Sequence, residues 1–127
     1  EKETSLEVER PRIAGVFINR LRRGMRLQSD PTVVYGLTQG RKALGRALRR
    51  ADLDQNTAYN TYRIPALPPG PIANPGLATL HAVLHPTASK ELYFVADGTG
   101  GHAFAATFAQ HRRNVQRWRR AKASKSR

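Results

Sequence analysis

The chain predicts an α+β domain built mainly of short helices. Three features lead there: apolar residues at helical spacing near its start, middle and end; one Tyr-Phe-Val run closed by a glycine-rich turn; and a proline-rich stretch unable to form helix or central strand. At 127 residues it suits a single domain, 1–122, followed by a disordered basic tail, 123–127. No repeat or low-complexity core interrupts it.

The acidic start, Glu1 to Glu9, reads as the remnant of an earlier helix stopped by Pro11, which pushes Arg10 toward extended geometry. Ile13, Val16, Phe17 and Leu21 fall at i, i+3, i+4 and i+8, predicting a helix from about Arg12 to Arg23. Arg20, Arg22 and Arg23 suit its carboxyl end, and Gly24 is its C-cap candidate. Asp30-Pro31 marks a turn, and Thr32-Val33-Val34-Tyr35 offers a short strand or buried turn. Ala43 to Leu53 predicts a short basic helix.

Ala58 to Gly76 holds five prolines and two glycines interspersed with Tyr59, Tyr62, Ile64, Leu67 and Ile72. Its apolar content argues for a stiff, packed loop rather than a linker, and such loops either serve a function or merely cover a core. Leu77, Leu80 and Leu84 predict a helix from Leu77 to His85 that stops at Pro86. Leu92 to Ala96 is a strand, turned back by Asp97 to Gly101 into His102 to Ala105. The last helix is expected from about Thr107 to Lys122, with Phe108, Val115 and Trp118 inward.

The formal net charge of +13 suits an anionic partner: nucleic acid, anionic lipid or an acidic polymer. Two dense basic clusters, Arg41 to Arg50 and Arg112 to Arg127, also read as solvated surface. The chain has no cysteine, so it has neither disulfides nor thiolate metal sites. It has no membrane-length apolar run and no signal peptide, so an anchor or export signal would lie outside it.

His81 and His85, four apart on a predicted helix, could share a face, but they lack a zincin's intervening acid, and Pro86 makes His85 a helix-end residue. His102 and His111 read as surface or hydrogen-bonded residues. No Gly-x-Ser-x-Gly elbow surrounds any serine, and the Gly98 to Gly101 turn lacks the Lys-Ser/Thr of a phosphate loop. Carboxylates number nine, and most have local explanations; the cluster Glu1, Glu3, Glu7 and Glu9 is the exception. Glycoside hydrolysis usually needs two carboxylates, yet one suffices if an internal sugar hydroxyl attacks.

The run EKET at Glu1 to Thr4, RIAGVFINRLRRGMRLQSDPTVVYGL at Arg12 to Leu37, RADL at Arg50 to Leu53, AYNTYRIPALPPGPIANPG at Ala58 to Gly76, His85-Pro86, and LYFVADGTGGHAF at Leu92 to Phe104 together resemble the endolytic murein transglycosylases, the MltG or YceG-like family. The resemblance spans nearly the whole chain in order. It implies a mainly helical, lysozyme-like catalytic domain with a short β-hairpin, in which the Pro-rich loop walls a groove. Glu3 would be the catalytic glutamate, with Gln28, Tyr59, Asn60 and Tyr62 binding substrate; Phe17, Leu27 and Tyr59 are candidates for an apolar pocket that raises the acid's pKa.

The implied reaction is lytic: the bond between N-acetylmuramic acid and N-acetylglucosamine breaks inside a glycan strand, and a 1,6-anhydro end forms without metal or cofactor. Peptidoglycan strands would be the substrate, with part of the arginine excess meeting their carboxylates. Cell-wall synthases would be partners, and no specific nucleic acid is expected. The resemblance also implies a full-length protein anchored in the bacterial inner membrane, its catalytic domain on the periplasmic or extracytoplasmic side. Family members carry a membrane helix and a LysM-like region before this stretch, so the chain reads as an amino-terminally truncated, soluble fragment. Glu3 would then sit near a frayed helix end, where folding need not bring activity. Rival readings are a peptidoglycan-binding domain without catalysis and a basic nucleic-acid-binding module.

Overall fold

A computed structural model describes residues 1–125. It is mostly helical with one antiparallel hairpin, an α+β fold. Two compact units divide the chain: Glu1–Glu3 with Arg20–Gly76, and Thr4–Asn19 with Leu77 onward.

Helix α1, Arg10–Arg22, begins two residues earlier than its apolar spacing predicts. Arg10 is helical (φ −56°, ψ −44°) after a 3-10 turn over Glu7–Glu9 and is not extended. Pro11 fits because the first turn of a helix has no use for the N–H that proline lacks. Ile13 and Val16 are buried as expected, while Phe17 and Leu21 are half-buried. Gly24, at φ +69°, follows its end.

In the first unit, helix α2 occupies Asp30–Thr38, where the Thr-Val-Val-Tyr run suggested a strand or buried turn. Asp30 and Pro31 open the first helical turn rather than a loop, and Thr32 and Val33 are buried. A proline in the first turn and burial on the inner face outweigh the modest strand preference of β-branched residues. Helix α3 is confined to Arg50–Leu53. The expected start at Ala43 fails because Arg46 folds back to grip Asp52 through two nitrogens, at 2.6 and 2.9 Å. Asp52 in turn accepts the Arg49 N–H at 2.8 Å, so the helix is capped at Arg49. The Pro-rich loop contains no strand and no helix.

In the second unit, helix α4 runs Leu77–Leu84, as the stop at Pro86 requires. Its inward residues, however, are Thr79 and Ala82, while Leu77 and Leu84 are 84% and 76% exposed. Strands β1, Tyr93–Ala96, and β2, His102–Ala105, pair antiparallel with Tyr93 opposite Ala105. Helix α5, Phe108–Lys125, packs on both strands, and Tyr93 stacks on His111 with ring centroids 4.9 Å apart. It extends into the stretch expected to be a tail, of which Ser126 and Arg127 lie outside the described residues. Phe108, expected inward, is 59% exposed, whereas Asn114 is buried. Glu9 accepts both the His102 N–H, at 2.9 Å, and a bond from its Nδ1, at 2.7 Å. Gly15 is the position where α1 meets the segment after α4: an added Cβ would lie 2.5 Å from the Thr87 carbonyl, while the Thr87 N–H donates to Pro11. No helix among the described residues is long and apolar enough to cross a membrane.

The Arg46 guanidinium, with the Arg49 N–H, holds the Asp52 carboxyl down from 3.8 to about 2. A carboxyl depressed in the folded state stabilises above its unfolded pKa, and that contribution disappears as pH falls from about 4 through about 2. Thermal melts of the wild type and Asp52→Asn should therefore differ most near neutral pH and converge toward pH 2. A gap that stays constant across this window would exclude the ion pair as its source.

Candidate active site

Glu3 lies in an irregular segment and not on a helix. Its Oε1 accepts a hydrogen bond from the Ser29 hydroxyl at 2.5 Å, and its side chain is half-buried. Ser29 itself is buried and stands at the N-cap of α2 with extended backbone (φ −99°, ψ 114°). A serine there usually uses its oxygen to accept a helical N–H. Here no side-chain cap bond forms, and the hydroxyl turns to Glu3 instead.

Two threonines hold Ser29 by its backbone. Its N–H donates to Thr61 Oγ1 at 2.8 Å, and its carbonyl accepts from Thr32 Oγ1 at 2.6 Å; the two hydroxyls meet at 2.8 Å. Thr61 is wholly buried. Beside Ser29, Asp30 accepts the Tyr62 hydroxyl at 2.5 Å. Burial, then that bond, then the negative charges of Asp30 and Glu3 push the Tyr62 phenol far above the ordinary tyrosine range, against the opposing pull of Arg20. Tyr62 thus remains a protonated donor through the whole working range of pH.

The first unit holds all of the expected site residues, in different states. Gln28 directly precedes Ser29; it is exposed and adopts the left-handed region at φ +51°, its N–H donating to the Thr61 carbonyl at 3.2 Å. That conformation costs a non-glycine residue on the order of 1 kcal/mol, which the loop around Thr61 sustains. Tyr59 is half-buried and tilts against Tyr35 with centroids 4.7 Å apart.

Asn60 corrects the sequence reading. It is completely buried, and its amide donates to the carbonyls of Leu53 and Gln55 at 2.9 and 2.7 Å while accepting the Tyr62 N–H at 2.9 Å. With both donors occupied, Asn60 shapes the loop that carries Tyr62 and has no hand left for a ligand. Of the three residues expected to form an apolar pocket, Leu27 is buried in this unit, whereas Phe17 belongs to the second unit, edge-on to Phe94 at 5.7 Å.

An open cavity of about 880 Å³ adjoins Asp30. Pro31, Val34 and Tyr35 line it from α2, Ile72 to Asn74 from the end of the Pro-rich loop, and Lys42 from the basic stretch. The Glu1 carboxylate accepts the Gly76 N–H at 2.9 Å, tying the start of the chain to the end of that loop. His81 and His85 stack on each other at 4.4 Å. Among the described residues no group of three or more His, Asp or Glu could hold a metal ion.

Sequence reasoning overlooked Ser29, Asp30, Thr32 and Thr61. A Ser-Asp-Pro start signal was available for the first two; nothing local connects Thr61 to them.

The model of the YceG-like family matches residues 1–117. The chain belongs to the YceG-like family. It is 40% identical over 118 residues to an endolytic murein transglycosylase of Bacillus subtilis, covering 93% of this chain and 32% of that protein. It is likewise 40% identical over 121 residues to one of Streptococcus pneumoniae, covering 91% and 21%. A crystal structure of a putative yceG-like protein from Listeria monocytogenes superposes with a TM-score of 0.81 at 43% identity, covering 89% of this chain and 36% of that one. The chain thus spans a third or less of the curated relatives it matches.

Asn60→Ala removes a wholly buried amide together with the donors to two carbonyls, and stability should fall by about 3 kcal/mol in urea unfolding with an unchanged slope. A loss within 0.5 kcal/mol would show that water replaces the amide.

Proposed function

We propose that this chain is the catalytic part of an endolytic peptidoglycan lytic transglycosylase, with Glu3 as its general acid and then base. The observation that carries the reading is Glu3 held by Ser29 beside the Tyr62–Asp30 pair, with Asp30 on the wall of a cavity that the end of the Pro-rich loop also lines. Kinship with proteins named for the reaction supplies its class.

Protonated Glu3 gives its proton to the oxygen linking N-acetylmuramic acid to N-acetylglucosamine, and the C1–O bond breaks with positive charge developing at C1. The muramyl C6 hydroxyl then attacks C1 and returns its proton to Glu3. The products are a 1,6-anhydromuramyl end and a free C4 hydroxyl, with no water consumed. One acid performs both transfers, consistent with the scarcity of carboxylates in the chain.

In this reading the frame is lysozyme-like and the cavity is the groove for the strand. Gln28 offers an exposed amide, and Tyr59 and Tyr62 offer ring faces and edges to the sugars, with the Tyr62 oxygen left as an acceptor while its proton goes to Asp30. Lys42 meets carboxylates of the lactyl ethers and stem peptides. The same reading places the whole protein in the bacterial inner membrane, acting outside the cytoplasm and alongside cell-wall synthases.

The test is mass spectrometry of products after this chain, and a version extended upstream, are incubated with purified glycan strands. Anhydromuramyl ends that disappear in Glu3→Gln, while strand binding persists, are the expected result. Reducing muramyl ends would mean hydrolysis, and strands left intact by the extended version would mean a binding domain.

A further inference from the structure

We infer that Ser29 is the positioning residue of the acid: its hydroxyl is withheld from capping α2 in order to hold the Glu3 carboxylate. The inference rests on the reading of Glu3 as the general acid. Two observations, independent of that reading, make the hydroxyl unusual. The first is the N-cap position itself: Ser29 has the extended backbone of a cap residue and makes no side-chain cap bond, while α2 continues without one. The second is the manner in which its backbone is held.

Both main-chain groups of Ser29 are bonded to buried threonines, Thr61 to its N–H and Thr32 to its carbonyl, and those threonines bond each other. Ser29 therefore cannot drift along the loop, and its short side chain, with one torsion, can only rotate. A serine so clamped delivers its hydroxyl to one place, where Glu3 Oε1 lies. By contrast Glu3 sits on a segment with no regular structure, so the direction of its side chain is set by the contacts it makes, the Ser29 hydroxyl among them. Order thus passes from the buried threonines to the loop and from the loop to the acid.

The chemistry this supplies is twofold. It fixes the carboxyl orientation, so that proton transfer starts from a near-attack geometry. It also offers a donor to the carboxylate, which favours the ionised state that must form when the proton leaves. Glu3 acts on Tyr62 together with Asp30 and Arg20, and Lys2 is its chain neighbour.

Three variants of the extended, active protein test the role: Ser29→Ala, Ser29→Thr and Thr61→Val. Ser29→Ala keeps the backbone bonds to Thr61 and Thr32 and removes no cap bond, so the fold should survive unchanged in thermal melts. Its kcat should fall roughly ten- to a hundredfold, the range for one hydrogen bond to a charged group, with KM near wild type. The pH limb on which the acid deprotonates should move upward, because the ionised form has lost a donor. Ser29→Thr, which restores the hydroxyl, should recover most of kcat, and Thr61→Val should lower kcat in the same way by loosening the clamp.

Ser29→Ala with wild-type kcat and an unmoved pH profile, in an enzyme that Glu3→Gln silences, would overturn the inference and leave the function standing. Activity retained in Glu3→Gln would remove the function and this inference together. A Ser29→Ala protein that loses KM and melting temperature along with kcat, unrescued by threonine, would make Ser29 merely structural.

Discussion

The hydrogen bond from the Ser29 N–H to the Thr61 hydroxyl is the constraint on which the first unit depends. Thr61 comes from the loop after α3, and Ser29 from the residue that opens α2. Their union, reinforced by Thr32, brings two stretches about thirty residues apart into one buried polar knot. Every donor and acceptor in that knot is satisfied within a small space, which is the condition for polar groups to be buried without penalty. Gln28 is strained next to it, Tyr62 and Asn60 flank Thr61, and Asp30 follows Ser29. Glu3, Tyr62 and Gln28 are thus all arranged around one anchoring point.

Asn60 shows how one buried amide can shape a loop. Its amide spans the end of α3 and caps the turn before Tyr62, so the hydroxyl that meets Asp30 is aimed by a residue with no exposure of its own. The second unit solves a comparable problem by charge: Glu9 ties the 3-10 turn to β2 through His102, and Arg12 grips Glu91 through two bonds while lying over Phe104. Its close contacts need Gly15, because the Thr87 carbonyl leaves no room for a side chain.

Much of the fold was legible locally. The hairpin follows from Tyr-Phe-Val and its glycine turn, and α4 and α5 follow from spacing and the stop at Pro86. What misled was inference from one kind of signal. The β-branched run at Thr32 to Tyr35 argued for a strand, yet the start signal just before it made a helix. The leucines of α4 identified the helix, and the smaller Thr79 and Ala82 are its buried residues, because helical spacing identifies an element without saying what lies opposite each face. Arg10 before Pro11 argued for an extended chain, yet a proline in the first turn is compatible with helix.

The sequence by itself determined the mixed α+β class, the hairpin and the helices α1, α4 and α5, since these rest on composition and local spacing, while the motifs in order along the chain carry the family resemblance that points to Glu3. Only the tertiary structure decided which polar residues serve the site and which serve the fold. Ser29 carries no distinguishing local pattern and bonds Glu3; Asn60, expected to bind substrate, is completely buried. The reason is that a hydrogen bond between residues distant in sequence leaves no periodicity behind, and whether a side chain faces solvent or a carbonyl is settled by the packing of elements that no local pattern records.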